Sequence, residues 1–512
     1  MTAETIVSID PATGTEVEEV TTATSYEELE EVCGAAAAAF AQLADRDRAF
    51  RGTLLRTMAD AMAARRADIV SLGVRETGLP RARLEGELAR TVYQARLFAD
   101  AVDEGGHLEV TIDHAGDTPM GPRPDLRRML VPTGPVAVFG ASNFPLAFSV
   151  PGGDTMSALA AGCPVVVKAH HSHPALSVMM HGILSAAAYD AGAPAGTIGL
   201  VHGREAGARL VQHPAISAVG FTGSLDGGRA LMRLIEQRPT PIPFFGELAS
   251  LNPVVVTQAA AAARGTAFAE DLVLSITGSA GQLCTKPGLV LVPHGPAGDA
   301  LVDAAGALIA GRPAATLLDE RIRDGYEETS AELRRIPGLR VVAEGEKPSG
   351  GGFAVTPRLL AMEARDLAGA QVGECFGPTT VVVRYAEADL VGIIGGLPGS
   401  LTATIHSEPG EDMRATVRAL LPKAGRLLFN GFPTGVSVSW AQHHGGPWPA
   451  TNSQHTSVGT TAIRRFLRPV TWQSAPAEVL PPELHDTYTS IPRRVDGRLV
   501  VPAASAGQED AR

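Results

Sequence analysis

Cysteine is scarce in this chain: four residues in 512, at positions 33, 163, 284 and 375. Their spacing fits no metal-ligand or disulfide pattern, so a reduced cytoplasmic protein with no bound metal is expected. Aromatic residues are few, at 5%. No run of like charge is long enough to form a tail. The net charge of −12 argues against non-specific nucleic-acid binding. Long apolar runs are also missing. The most apolar stretch, 131–167, is broken by Pro132, Gly134, Pro135, Pro145, Pro151 and Gly152-Gly153 and carries Asn143 and Asp154, which excludes a spanning helix. Met1-Thr2-Ala3-Glu4-Thr5 has neither a basic n-region nor an apolar h-region, so no secretory signal is expected. No Gly-x-Gly-x-x-Gly follows a first strand, which removes the common dinucleotide fingerprint.

What is present is globular: 45% hydrophobic residues, with 56 Gly and 37 Pro dispersed among many turns. A chain of 512 residues is too long for one core, so two or three packed units are expected. Residues 25–104 read as helical. Ser25 caps the first helix, with Glu28 as its capping-box partner. Alternation over 107–113, then a Gly/Pro stretch to Pro124 and Leu126–Val131, reads as a long hairpin. From 134 onward short apolar strands alternate with helices, which predicts a parallel sheet. A second such run spans about 254–440. Residues 462–472 read as a late strand paired with the early hairpin.

Two residues narrow the chemistry. Cys284 lies among Gly278, Gly281 and Gly288 with polar Gln282, Thr285 and Lys286, not on a packed apolar stripe. A thiol can form a covalent adduct with a carbonyl. Its pKa must fall for reactivity near neutral pH, and a helix terminus or Lys286 could lower it. Glu247 opens Glu247-Leu248-Ala249-Ser250-Leu251-Asn252-Pro253, and a carboxylate can activate the water that releases the adduct.

Five segments follow in order: Asn143-Phe144-Pro145-Leu146, Gly220-Phe221-Thr222-Gly223-Ser224, the Glu247 segment, Gly281-Gln282-Leu283-Cys284, and Glu374-Cys375-Phe376-Gly377-Pro378. Together they resemble the aldehyde dehydrogenase superfamily. That resemblance implies an α/β fold with a variant Rossmann cofactor domain (1–106 and 132–247), an α/β catalytic domain (248–455) and a small β oligomerisation arm (107–131 and 456–490). It implies Cys284 as nucleophile, Glu247 as the base for hydrolysis and Asn143 as oxyanion donor. Lys168, His171, Gly223, Ser224, Glu374 and Phe376 would contact the dinucleotide. Many members carry Pro-Ser-Glu after the lysine. Here Ala169-His170-His171 follows, so an acidic residue is replaced by His171. This, with Arg204 and Arg209 nearby, leans the cofactor towards NADP, with NAD as the alternative.

The C-terminal third narrows the resemblance. Phe429-Asn430-Gly431-Phe432-Pro433, His444-Gly445-Gly446-Pro447-Trp448-Pro449 and Ile463-Arg464-Arg465-Phe466-Leu467-Arg468-Pro469-Val470 are similar to the 2-oxoglutarate semialdehyde (2,5-dioxovalerate) dehydrogenase branch. The implied substrate is a small anionic oxo-aldehyde. Arg464, Arg465 and Arg468 are candidate anion partners but sit on the expected oligomer strand, and His443 and His444 read as structural. The alternatives are an enzyme for medium-chain aliphatic or aromatic aldehydes, a coenzyme A-acylating enzyme, and a non-catalytic protein on the same fold. No nucleic-acid or membrane partner is expected, and a homodimer or homotetramer is.

Overall fold

The computed structural model describes residues 4–367, 369–370, 372–433 and 435–502. Two parallel sheets dominate. In the first, the strands run in the order Phe244–Glu247, Ala218–Thr222, Val136–Phe139, Val165–Lys168 and Ile198–Val201, all parallel. The chain builds outward from Val136–Phe139 on one side and then returns to its other side. The strand order therefore reverses beside Val136–Phe139, and ligands of open α/β sheets bind outside the carboxyl ends at such a point. Successive residues alternate between two cores: Val136, Val138, Val165 and Val167 face one, while Ala137, Phe139 and Val166 face the other. A sheet apolar on both faces must be covered by helices on both.

The second sheet has seven strands: Arg340–Glu344, Arg358–Glu363, Thr379–Tyr385, Leu289–Pro293, Val254–Val256, Ser400–His406 and Ala424–Phe429. Only the edge strand Arg340–Glu344 is antiparallel. Its side chains also divide between two cores, with Val255, Leu289 and Leu291 opposite Val254, Val256 and Val290.

The expected N-terminal helical region is four helices: Tyr26–Leu43, Arg48–Ala64, Arg66–Thr77 and Arg81–Glu104. Ser25 caps the first through the reciprocal bonds expected with Glu28. The late strand Leu467–Gln473 pairs antiparallel with Leu126–Pro132. Two expectations need correction. The early hairpin is interrupted: Gly106–Leu108 is a single helical turn, only Thr111–Asp113 pairs with the Leu126 strand, and Gly116–Thr118 folds onto Gly121–Arg123 as a separate ribbon. Glu109 sits at φ 50°, which ends strand geometry before it starts. Residues Thr460–Phe466 form a short helical segment rather than the start of the late strand. Among the described residues no helix is long and apolar enough to cross a membrane.

That helical segment carries a buried ion pair. Arg465 Nη2 lies 2.7 Å from Asp154 Oδ1, with both side chains under 10% exposed. The same guanidinium donates to Ser157 Oγ at 3.1 Å and to the Ala462 carbonyl at 3.2 Å. Arg464 pairs with Glu109 at 2.6 Å. Arg465 is thus committed to packing, whereas Arg464 is exposed and holds a surface ion pair.

Removing Arg465 alone leaves the Asp154 carboxylate buried and uncompensated, which typically costs about 3–5 kcal/mol. Arg465→Met is expected to lower the urea unfolding midpoint clearly, and Asp154→Asn in the same chain to restore part of it. An unchanged midpoint in the single variant would show that the pair is not stabilising.

Candidate active site

Glu247 is the last residue of Phe244–Glu247, at the carboxyl edge of the first sheet, whereas Cys284 precedes Leu289–Pro293, at the amino edge of the second. The site therefore lies where the two sheets meet end to end. Asn252 fastens that junction. Its Nδ2 donates to the Cys284 and Lys286 carbonyls at 2.8 and 3.0 Å, and its Oδ1 accepts from Ser250 Oγ at 2.6 Å and Thr402 Oγ1 at 3.1 Å. The cysteine loop approaches a second loop equally closely. A Cβ on Gly281 would lie 2.3 Å from the Gly377 carbonyl, and Gly281 sits at φ 70°, so the position needs glycine on both counts. That contact brings the Glu374–Pro378 loop, with half-buried Phe376, beside Cys284.

Cys284 is partly exposed, while Cys33, Cys163 and Cys375 are buried. Its sulfur is 3.6 Å from His444 Nε2, and the same nitrogen is 3.1 Å from Glu247 Oε1. Ser457 Oγ donates to Glu247 Oε2 at 2.8 Å. Glu247 and His444 are both buried. Their loop is set by backbone pairing. Leu248 N–H donates to the Ala450 carbonyl at 2.8 Å, Asn452 bonds both Gly246 and Phe244, and Ser457 N–H closes onto the His444 carbonyl at 3.0 Å. Gly446 lies against the strand Ser400–His406, where a Cβ would meet the Ser400 carbonyl at 2.1 Å. His444, expected to be structural, stands between thiol and carboxylate.

The electrostatics are asymmetric. Burial opposes ionisation of Glu247, but the His444 charge and the hydrogen bonds from His444 and Ser457 outweigh it and pull its pKa down. For Cys284, burial raises the thiol pKa well above its ordinary value and the neighbouring Glu247 charge raises it further. Lys286 does not assist: its ammonium donates to the Thr379 carbonyl and faces Glu374 and Cys375. Glu374 accepts from Ser250 N–H at 3.2 Å, and burial lifts its carboxyl to about 7 against the pull of Lys286.

Asn143 is buried, and its Nδ2 donates to the Gln282 carbonyl at 2.8 Å. This bond holds the amide against the cysteine loop. Gln282 is itself fixed by accepting from Leu318 N–H at 3.0 Å.

At the carboxyl end of the first sheet, Ser224 caps the helix Leu225–Glu236 by accepting from Gly227 N–H at 3.2 Å. Gly223 lies beneath the Phe221 ring, where a Cβ would come within 2.8 Å. A strand end followed by exposed N–H groups of a helix suits an anion. Lys168 ends Val165–Lys168 with its pKa lowered to about 8 by burial and by Arg321. His171 is exposed and stacks on His170 at 4.3 Å, and its Nε2 is 3.3 Å from Asp319 Oδ2. An acidic group therefore does stand beside His171, supplied from elsewhere in the chain. Arg209 bonds Glu205 at 2.5 Å and covers the Tyr26 ring, which commits its charge locally; Arg204 is exposed.

Comparison with known proteins agrees with this architecture. Residues 1–466 match the model of the Aldehyde dehydrogenase family. The chain is 44% identical over 514 residues to Alpha-ketoglutaric semialdehyde dehydrogenase 2 of Azospirillum brasilense, covering 97% of this chain and 96% of that protein. It is 44% identical over 436 residues to the Alpha-ketoglutaric semialdehyde dehydrogenase of Acinetobacter baylyi, covering 84% and 83%. Among solved structures, a Bacillus cereus aldehyde dehydrogenase in complex with NAD+ superposes with a TM-score of 0.77 at 22% identity, over 92% of this chain and 93% of that one.

The carboxylate beside the thiol gives a directional expectation. Replacing Glu247 by Gln removes a negative charge that disfavours the thiolate. The midpoint of the pH dependence of iodoacetamide labelling at Cys284 should fall by about one pH unit or more. A midpoint that stays in place or rises would show that Glu247 does not oppose thiol ionisation.

Proposed function

This chain belongs to the aldehyde dehydrogenase family, and we propose that it oxidises 2-oxoglutarate semialdehyde (2,5-dioxopentanoate) to 2-oxoglutarate. The reading is carried by one arrangement, a partly exposed thiol in contact with a buried histidine and carboxylate pair. The 44% identity to two alpha-ketoglutaric semialdehyde dehydrogenases supports the substrate.

In this reading Cys284 adds to the aldehyde carbon. Its proton passes to the Glu247 carboxylate, which with His444 lies within 4.8 Å of the sulfur, and is released to solvent before the hydrolytic half, which restores the carboxylate. The second N–H of the Asn143 amide and the Cys284 backbone N–H would stabilise the oxygen of the adduct. One such donor is typically worth on the order of 10²–10³ in rate. A nicotinamide dinucleotide supplies the hydride acceptor when bound. Gly223, Ser224, Lys168 and His171 would hold it on the adenosine and pyrophosphate side, and Glu374 and Phe376 near the reacting ring. Glu247 then takes a proton from water as that water attacks the thioester, and Cys284 leaves as the sulfur base.

NADP is the preferred cofactor in this reading. Its support is the positive charge of Lys168 and Arg321, which stand close together, set against the Asp319 carboxylate beside His171. Residues 1–106 with 132–247 would form the dinucleotide-binding domain and 248–455 the catalytic domain. Residues 107–131 and 456–490 would form the arm of a homodimer or homotetramer in the cytoplasm.

Three measurements test the proposal. A panel of aldehydes assayed with both cofactors should rank 2-oxoglutarate semialdehyde first by kcat/KM, without coenzyme A; turnover that begins only on adding coenzyme A would overturn the hydrolytic step. Cys284→Ala should lose oxidation while still binding dinucleotide, as read by fluorescence titration, and substantial remaining turnover would remove the nucleophile. His171→Glu should lower the NADP/NAD ratio of kcat/KM by about tenfold, equivalent to ~1.4 kcal/mol; an unchanged ratio would place His171 outside cofactor selection.

A further inference from the structure

We propose that Arg90 and Arg426 together bind the carboxylate of an anionic oxo-aldehyde substrate. The inference rests on the aldehyde-oxidation reading above and names the anion site that the reading leaves open. Arg90 lies on the helix Arg81–Glu104 and Arg426 on the strand Ala424–Phe429, yet they converge on one loop. Arg90 Nε donates to the Val436 carbonyl at 3.2 Å, and Arg426 Nη1 donates to the adjacent Gly435 carbonyl at 3.1 Å. The two guanidiniums are thereby tethered at consecutive carbonyls.

Their remaining donors are unused. Arg90 Nη1 and Nη2 and Arg426 Nε and Nη2 are buried and find no acceptor among the described residues. The Glu87 and Glu247 charges act on Arg90 from a distance, but none of these four buried nitrogens has a hydrogen-bonded carboxylate among the described residues, and buried donors are normally satisfied. An arginine fork also matches a carboxylate in geometry.

Both groups belong to the neighbourhood of the thiol. A charge at Cys284 is felt by each guanidinium, and burial lowers the pKa of both. Arg90 stands 5.1 Å over the Phe148 ring, and that ring is 6.2 Å from His444, which touches the sulfur. A substrate bonded to Cys284 at its aldehyde carbon would extend past Phe148 towards the paired arginines. The other nearby arginines are engaged, although Arg83 keeps one buried donor, Nη1, without an acceptor among the described residues. Arg83 bonds the Asn143 carbonyl at 2.6 Å and lies 3.8 Å from Glu87, and Arg464 and Arg465 hold Glu109 and Asp154.

The experiment compares 2-oxoglutarate semialdehyde with pentanal in the wild-type enzyme and in Arg90→Gln, Arg426→Gln and the double variant. The ratio of kcat/KM for the anion over pentanal should fall at least tenfold in each single variant and further in the double. The loss should appear mainly as a raised KM for the anion. Arg→Lys at either position should recover part of the ratio. In the wild-type enzyme glutarate should slow iodoacetamide labelling of Cys284, and neutral glutaramide should not; this readout does not depend on a variant folding. Variants that keep the wild-type ratio, or equal protection by glutarate and glutaramide, overturn the site while leaving the functional reading intact. A wild-type enzyme with no preference for the anion overturns the functional reading and the site with it.

Discussion

Everything at this junction depends on keeping a carboxylate ionised where water is scarce. Glu247 is 3% exposed, and an unpaired charge at that depth would be neutralised. The Nε2 of His444 and the hydroxyl of Ser457 compensate it, one at each oxygen. Both come from a loop about two hundred residues further along the chain, and that loop is itself docked on the Glu247 strand by the Leu248–Ala450 backbone bond and by Asn452. The folding of the C-terminal third onto the first sheet and the chemical state of Glu247 are therefore one event.

The second requirement is that sulfur and carboxylate, carried at opposite kinds of sheet edge, stay in register. A side-chain amide does this more firmly than packing would. Asn252 sits at φ 50°, a conformation asparagine tolerates better than most residues, and from it bonds two carbonyls of the cysteine loop while accepting from the strand Ser400–His406. Gly281 and Gly446 serve the same end by leaving out a side chain where one loop must touch the next backbone. Asparagine and glycine recur in these motifs because the backbone has to approach backbone there, which explains the residue types without reference to the chemistry they surround.

Legibility followed sequence distance. The strands that feed the first sheet were readable, because Val136–Phe139, Val165–Lys168 and Ala218–Thr222 are short apolar runs between turn signals. Cys284, Glu247 and Asn143 stand out as candidates because each lies in a compact segment with a recognisable order. His444 does not stand out within its segment, because its partners lie 160 and 197 residues away and no local pattern marks a histidine that meets them. Asp319 was missed for the same reason, and with it the carboxylate that engages His171. Arg90 was hidden on an amphipathic helix whose apolar face explained the local pattern without it. The error at Thr460–Phe466 was of another kind. Apolar and aromatic residues there suggested a strand, but Gly459 at φ 97° and the burial of Arg465 against Asp154 turn the chain into a short helix first. Tertiary demand overrode local preference.

In the proposed reading the placement of Glu247 would also order the two halves of a hydrolytic oxidation. In the resting site its charge disfavours the thiolate, so a protonated sulfur is the favoured state and ionisation has to be coupled to attack. In the proposed reading Glu247 itself, within 4.8 Å of the sulfur, receives that proton while His444 and Ser457 hold its two oxygens. Once sulfur is bonded to carbon it bears no ionisable proton, and the repulsion vanishes. After releasing the thiol proton to solvent, the same carboxylate, held by Ser457 and His444, would be an unopposed base in the proposed hydrolysis. An arrangement that looks inhibitory for the first step is what keeps the base ionised for the second, and a more distant glutamate would lose the second benefit in sparing the first.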